Sequence, residues 1–199
     1  MSLPPLPPSA PIRLPQSCAS ISLPLLAFLD ETLPQPPFLT LSIGSGPGLL
    51  EALFLHHFPK RSNSFLGVEV ATPEGKANVN RFLKEENVVV VGGTWAVVDE
   101  DELLEEKVHV GGKEAEVGGL VFCYPRQTGL VKRYLDGSKM GVKLDVVVWI
   151  GPRCDEESFG EVFEDWGERE EVQEDGLVEE GEVVGVYRRR RGSEGRCAV

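Results

Sequence analysis

Residues 39–51 read LTLSIGSGPGLLE. An apolar, β-prone run (FLTLSI, from Phe38) ends in three alternating glycines, Gly44, Gly46 and Gly48, and LLEALFLHHF then carries apolar residues at helical spacing. Glycine lets the backbone turn sharply and approach a ligand with no Cβ in the way. The first turn of the helix behind it offers N–H groups without intrahelical partners. Strand, glycine turn and helix in that order describe a ligand-binding edge of an α/β domain. Spacing excludes two common occupants. The dinucleotide fingerprint wants a third glycine where Leu49 stands, and a P-loop wants a lysine at the helix start, where there is none.

Downstream, strand and helix signals alternate. SFLGVEV reads as a second strand, PEGKANVNRFLKEE as a helix with proline in its first turn, and ENVVVVGGTWAVV as a third strand. DEDELLEEK (99–107) reads as helix and VHVGGKEAEV as a hairpin or loop insertion. GLVFCYP, a helix in QTGLVKRYLDG, LDVVVWIGP and a helix in ESFGEVFEDW come next. Two closing strand candidates, REEVQEDGLVE and GEVVGVYRRR, are suited to antiparallel pairing. Runs such as VVVV and DVVVWI lack polar alternation and suit strands covered on both faces. The expectation is a three-layer, Rossmann-like α/β sandwich around a mostly parallel sheet of about seven strands.

Ten of the fifteen prolines fall within residues 1–37. Residues 1–20 are therefore expected to form a flexible, Pro-rich N-terminus, 21–190 the folded domain and 191–199 a flexible tail. ISLPLLAFLDET (21–32) predicts one short amphipathic helix that Pro34 stops. Pro4, Pro5, Pro7 and Pro8 break up any secretory core, and Arg13 alone is little base for a mitochondrial presequence.

At 199 residues the chain is about one domain. With 41% hydrophobic and 26% charged residues, wholesale disorder is excluded. No apolar run approaches the ~18 residues of a membrane span, so no membrane partner is expected. Cysteines 18, 123, 154 and 197 form no CxxC pair, and two of the three histidines are adjacent. Neither a metal site nor a disulfide framework is expected. The chain reads as soluble and intracellular, cytoplasmic or nuclear. The net charge of −12 is local: residues 155–182 hold fourteen acids against Arg169 alone. That run reads as a solvated acidic face, or more sharply as a dock for a basic protein partner.

The spacing Gly44-Ser45-Gly46-Pro47-Gly48 resembles motif I of the class I S-adenosylmethionine-dependent methyltransferases. Glu69, ending FLGVEV, matches the acid that in that family accepts hydrogen bonds from the ribose hydroxyls. The closing hairpin resembles the family's last two strands. The resemblance implies the sheet order 3-2-1-4-5-7-6 with strand seven antiparallel. It also implies S-adenosylmethionine as cofactor and methyl transfer to an acceptor the sequence does not name. The cofactor residues it implies are Ser42, Gly44, Ser45, Gly46, Gly48, Glu69, Thr94 and Trp95. Trp95, just after the third strand, reads either as core or as an adenine platform. Tyr124 and Arg126, after the fourth strand, are the catalytic candidates. Arg126 suits a substrate carboxylate or phosphate.

The sequence departs from the pattern in three places. Ser42 stands where an acid usually anchors the methionine end. Gly92-Gly93-Thr94-Trp95 replaces the usual acidic or polar end of strand three. Cys123-Tyr124-Pro125-Arg126 stands where amide and exocyclic-nitrogen methylating enzymes read Asn/Asp-Pro-Pro-aromatic, which disfavours that substrate class. Two other readings stand beside an enzyme: a catalytically inactive methyltransferase-like scaffold that binds protein, and, third, a nucleic-acid-associated protein using Arg188–Arg191. The adjacent acidic run disfavours nucleic acid. His56 and His57 lie too far along the first helix to act as bases at the sheet edge.

Overall fold

Strands built of continuous apolar residues call for cover on both faces; residues 146–151 have it, whereas VVVV (88–91) lies at the sheet edge with Val90 exposed. The computed structural model describes residues 2–6, 10–72, 79–98, 109–110, 113–114, 116–136 and 143–190. In chain order the elements are β1 (Ile12–Arg13), β2 (Ser20–Ile21), α1 (Leu23–Thr32), β3 (Leu39–Ile43), α2 (Leu49–His57), β4 (Phe65–Val70), β5 (Val88–Val91), β6 (His109–Val110) and β7 (Lys113–Glu114). They continue with β8 (Val117–Cys123), α3 (Thr128–Leu135), β9 (Val146–Pro152), α4 (Glu156–Trp166), β10 (Gly167–Glu170) and β11 (Glu182–Arg189).

The main sheet has seven strands in the order β5-β4-β3-β8-β9-β11-β10. The pairs β4–β5, β3–β4, β3–β8 and β8–β9 are parallel, and β11 runs antiparallel to both β9 and β10. Numbered along the chain, this is 3-2-1-4-5-7-6, the expected order with the expected antiparallel closing hairpin, although its first strand is Gly167–Glu170 and most of REEVQEDGLVE is irregular. β6 and β7 form a separate two-stranded ribbon within the VHVGGKEAEV insertion.

Alternate residues of each strand feed opposite layers. On one face Leu120, Phe122, Val147 and Trp149 pack with Val131, Tyr134, Phe159 and Phe163 of α3 and α4. On the other, Val121, Val146, Val148 and Ile150 pack with Leu25, Leu26 and Leu29 of α1 and Leu50, Leu53 and Phe54 of α2. α1 begins at Ser22, whose hydroxyl accepts from the Leu25 N–H at 2.9 Å. Its far end is held by buried Arg61, which pairs with Asp30 at 2.6 Å and donates to the carbonyls of Asp30, Leu33 and Pro34. These are the carbonyls a helix terminus leaves without partners.

Two expectations need correction. First, the helix expected over PEGKANVNRFLKEE does not form within its described part. Residues 79–84 are irregular, and only Glu85–Asn87 make a single 3-10 turn. Asn80 competes with helix by closing its own turn, donating to the Leu83 carbonyl at 2.9 Å and accepting from the Leu83 N–H at 3.0 Å. Residues 73–78 and the helix expected over 99–107 lie outside the described residues.

Second, packing begins before residue 21. Ala19, Ser20 and Ile21 are fully buried, and Leu3, Leu6 and Leu14 pack against the α1–α2 layer. β1 and β2 pair antiparallel, and the strap they form is anchored on Glu182. The Glu182 carboxylate accepts from Arg13 Nη2 at 2.8 Å, from the Ser20 N–H at 3.2 Å, from the Ser20 hydroxyl, and from the Tyr124 hydroxyl at 2.5 Å. Proline here makes an extended strap that finds its partners far along the chain.

Among the described residues no helix is long and apolar enough to cross a membrane, and no cluster of His, Cys, Asp or Glu could hold a metal ion.

Burial pushes the Glu182 carboxyl up, but donation from Ser20 and Tyr124 and the charge of Arg13 more than offset it, so it lies below its ordinary value. A depressed carboxylate stabilises the fold above its unfolded-state pKa of ~4.3, and the contribution disappears as pH falls through the folded value. Glu182→Ala is expected to cost about 2 kcal/mol at pH 7, since it strands the buried Ser20 donors and the Tyr124 hydroxyl, while Arg13 keeps Glu179. Urea melts at pH 7 and pH 3 check this, with the wild-type advantage shrinking at the lower pH.

Candidate functional site

The turn after β3 is tied to β4. The N–H groups of Gly44 and Ser45 both donate to the Val68 carbonyl, at 3.0 and 3.1 Å. Gly44, Gly46 and Gly48 have φ of +72°, +57° and +77°, a region that favours glycine. A Cβ on Gly44 would meet nothing within 4 Å, and one on Gly46 only the Gly44 carbonyl at 4.0 Å, so the turn faces open space. Gly48 is different: a Cβ there would lie 2.7 Å from Asn80 Oδ1 and 2.9 Å from Leu83 Cγ. Pro47 anchors the same segment, its carbonyl accepting from the N–H groups of Arg81 and Phe82. Gly67 of β4 makes room for the Ser45 side chain, whose hydroxyl would lie 2.7 Å from a Cβ at that position.

Glu69, near the carboxyl end of β4, faces this turn and accepts from the Gly46 N–H at 3.3 Å. Partial burial raises its pKa against the N–H groups of Gly46 and Val70, which lower it.

Below the turn lies an acid that the sequence reading passed over. Ser42, fully buried, donates its hydroxyl to Glu51 Oε1 at 2.6 Å. Glu51 is 1% exposed, and its Oε2 has no partner among the described residues. Burial pushes its carboxyl up to about 7, against the Ser42 hydrogen bond that pulls it down. The first turn of α2 thus brings a carboxyl to Ser42. The signal was present: Glu51 is the one charge in LLEALFL, although an acid at this helix position usually reads as a cap.

Further along the same sheet edge is an open cleft of about 810 Å³. It is lined by Trp95 from beyond β5, by Tyr124, Pro125 and Arg126 from beyond β8, and by Asp155 and Phe159 at the start of α4. The structure brings Trp95, Tyr124 and Arg126 together, whereas Thr94 is exposed and does not line the cleft. Trp95 is 49% exposed, so the core reading for it is wrong. Its neighbours Val97 and Val98 supply the core contact instead.

Tyr124 is recast as well. Its φ of +52° turns the chain back on itself, and its hydroxyl is committed to Glu182. Burial first, then donation to Glu182, pushes the phenol up to about 12, so it is no base at neutral pH. Burial likewise raises the Cys123 thiol, which stays protonated. Arg126 is exposed and makes no ion pair among the described residues. His56 and His57 lie exposed in the last turn of α2, away from this edge.

A glycine turn after the first sheet strand, an acid closing its neighbour and the strand order 3-2-1-4-5-7-6 occur here in one domain. The chain has a class I methyltransferase-like fold. No protein-family model matches it, and no curated protein does. Solved structures are similar. Precorrin-6y C5,15-methyltransferase of Geobacter metallireducens GS-15 is 14% identical, with 85% of this chain and 89% of that one covered and a TM-score of 0.48. Precorrin 8w decarboxylase of Methanobacterium thermoautotrophicum is 10% identical over 92% and 99% of the two chains, with a TM-score of 0.48. An rRNA methylase from Streptococcus thermophilus is 9% identical over 83% and 94%, with a TM-score of 0.46. The fold assignment rests on the strand order; the methyltransferase-like domain's chemistry has to be read from its own residues.

Glu51 yields a pH signature. A carboxyl whose folded pKa lies above its unfolded value costs nothing below the unfolded pKa, and the penalty grows as pH rises to the folded one. A shift from 4.5 to about 7 corresponds to roughly 3 kcal/mol above neutrality. Glu51→Gln keeps an acceptor for Ser42 and is expected to stabilise the protein by about that amount at pH 8, with little change near pH 4.5. Denaturant melts across this range are the check; a wild-type stability flat between pH 4.5 and 7 contradicts the assignment.

Proposed function

We propose that the glycine turn and Glu69 bind the adenosyl part of S-adenosylmethionine and that the protein transfers its methyl group to an acceptor in the adjoining cleft. The observation that carries this reading is the Glu69 carboxylate aimed at Gly46 across a turn open at Gly44 and Gly46. A carboxylate in that place can accept from two vicinal ribose hydroxyls in charge-assisted hydrogen bonds. The orphaned buried oxygens nearby, Ser45 Oγ and Glu51 Oε2, fit a ligand with further polar groups. Glu51, held by Ser42, is the acid suited to the cationic amino end.

When bound, S-adenosylmethionine supplies an electrophilic methyl on a sulfonium, the C–S electron pair going to sulfur as an acceptor lone pair takes the carbon. The protein's residues then have mainly to position and to exclude water. Glu69 and the glycine turn hold one partner, while Trp95, Pro125 and Arg126 shape the space for the other. Tyr124 contributes its ring and not a proton. Asp155 is the carboxylate lining the cleft among the described residues, and so the candidate to take a proton from an acceptor that must lose one.

Titration calorimetry with S-adenosylhomocysteine tests the reading. Wild type is expected to bind, and Glu69→Gln to bind about 10–100-fold more weakly, the worth of charged hydrogen bonds to a diol. Glu69 is half-buried, so the variant should melt within ~2 °C of wild type. No detectable heat with wild type overturns the cofactor site and leaves the inactive scaffold as the better reading.

A further inference from the structure

The acceptor side of the cleft has a chemistry of its own. Trp95 stands 49% exposed beside open space, while the residues just after it pack into the core. Gly129, in the first turn of α3, is what lets the indole lie there: a Cβ on it would be 3.3 Å from Cζ3 and 3.5 Å from Cη2. Trp95 follows β5 and Gly129 follows β8, so this contact spans the carboxyl ends of β4 and β3, where Glu69 and the glycine turn stand. Pro125, the Tyr124 ring and Phe159 make the remaining apolar lining, and Arg126 brings a guanidinium with no ion pair among the described residues.

We propose that this cleft binds a small planar aromatic molecule carrying a single anionic group, its ring on Trp95 and its anion at Arg126. A volume of about 810 Å³ lies within the range of roughly 300–1,000 Å³ typical of small-ligand sites. An indole face and a guanidinium fork are the groups that recognise a conjugated ring and a carboxylate or phosphate. The acids of α4 decide against a polyanion. Asp155 lines the cleft, and Glu157, Glu161 and Glu164 follow along α4, while Glu156 is paired with Arg169. A nucleic-acid strand would meet that row of acids; one anion placed at Arg126 avoids it. That the bound molecule is the methyl acceptor rests on the cofactor reading above, whereas the binding does not.

The test uses the full chain without any methyl donor. 2-Naphthoate is titrated while the Trp95 indole N–H is followed by two-dimensional NMR, beside its neutral isostere 2-naphthamide, the ringless anion cyclohexanecarboxylate and hexauridylate. A saturable shift of Trp95 by 2-naphthoate is expected, with 2-naphthamide and cyclohexanecarboxylate each at least tenfold weaker. Arg126→Gln should weaken 2-naphthoate tenfold or more and leave 2-naphthamide within twofold, and Trp95→Leu, followed through the Gly129 amide N–H that lines the same cleft, should weaken both. Both residues are exposed, and thermal melts establish that the variants fold. Equal affinity for 2-naphthoate and its amide, indifference to either substitution, or tighter and salt-sensitive binding of hexauridylate overturns the proposal. Parallel titration with S-adenosylhomocysteine separates the two readings. 2-Naphthoate binding without S-adenosylhomocysteine binding upholds the cleft and removes the cofactor site, and the reverse pattern overturns the cleft alone.

Discussion

One carbonyl organises this site. Val68 O accepts from both Gly44 and Ser45, so the turn after β3 is bonded sideways to β4 and does not stand free above its own strand. That attachment brings Gly46 to Glu69 and turns the Ser45 side chain into the gap that Gly67 leaves. It also starts α2 at a point where its first turn places Glu51 beneath Ser42. Loop, acid and buried acid are therefore one geometric unit. A β4 without glycine at position 67 would push Ser45 out and loosen all three.

The strands were readable because their chemistry is local. The VVVWI of DVVVWI is buried on both faces as its pattern demands, whereas VVVV proves to be an edge strand with Val90 exposed, and the glycine turn with its flanking strand and helix points to one edge of one kind of sheet. What escaped was decided by residues distant in sequence. Glu182 looks like one more acid in an acidic run, yet it binds Ser20, 162 positions earlier. Glu51 looks like an ordinary first-turn acid, and only the packing of α2 on the sheet buries it. Helix spacing in the segment after β4 lost to a four-residue turn around Asn80, a side chain able to satisfy the backbone in place of a helix. Trp95 failed as a core residue because Val97 and Val98, two and three positions on, already fill that space.

The acidic stretch changes meaning in the same way. Glu156 pairs with Arg169, Glu170 with Arg188, Glu174 with Arg153, and Glu179 and Glu182 with Arg13. Part of what reads as a uniform field is internal stitching. Most of these pairs are exposed and contribute little each; the buried end at Glu182 is the exception. Arg188 and Arg189 lie in β11, and Arg188 is paired, so the arginine run begins as sheet and not as a free tail.

The link between Arg13, Ser20 and Glu182 also has a bearing on the order of events during synthesis. Residues 12–21 leave the ribosome early, but the carboxylate that holds them is made some 160 residues later. Contacts of such sequence separation form late, since the intervening loop must close before they can be made. The strap of β1 and β2 therefore lacks its anchor until the last strand is in place. Its fastening reports that the closing strand has been built.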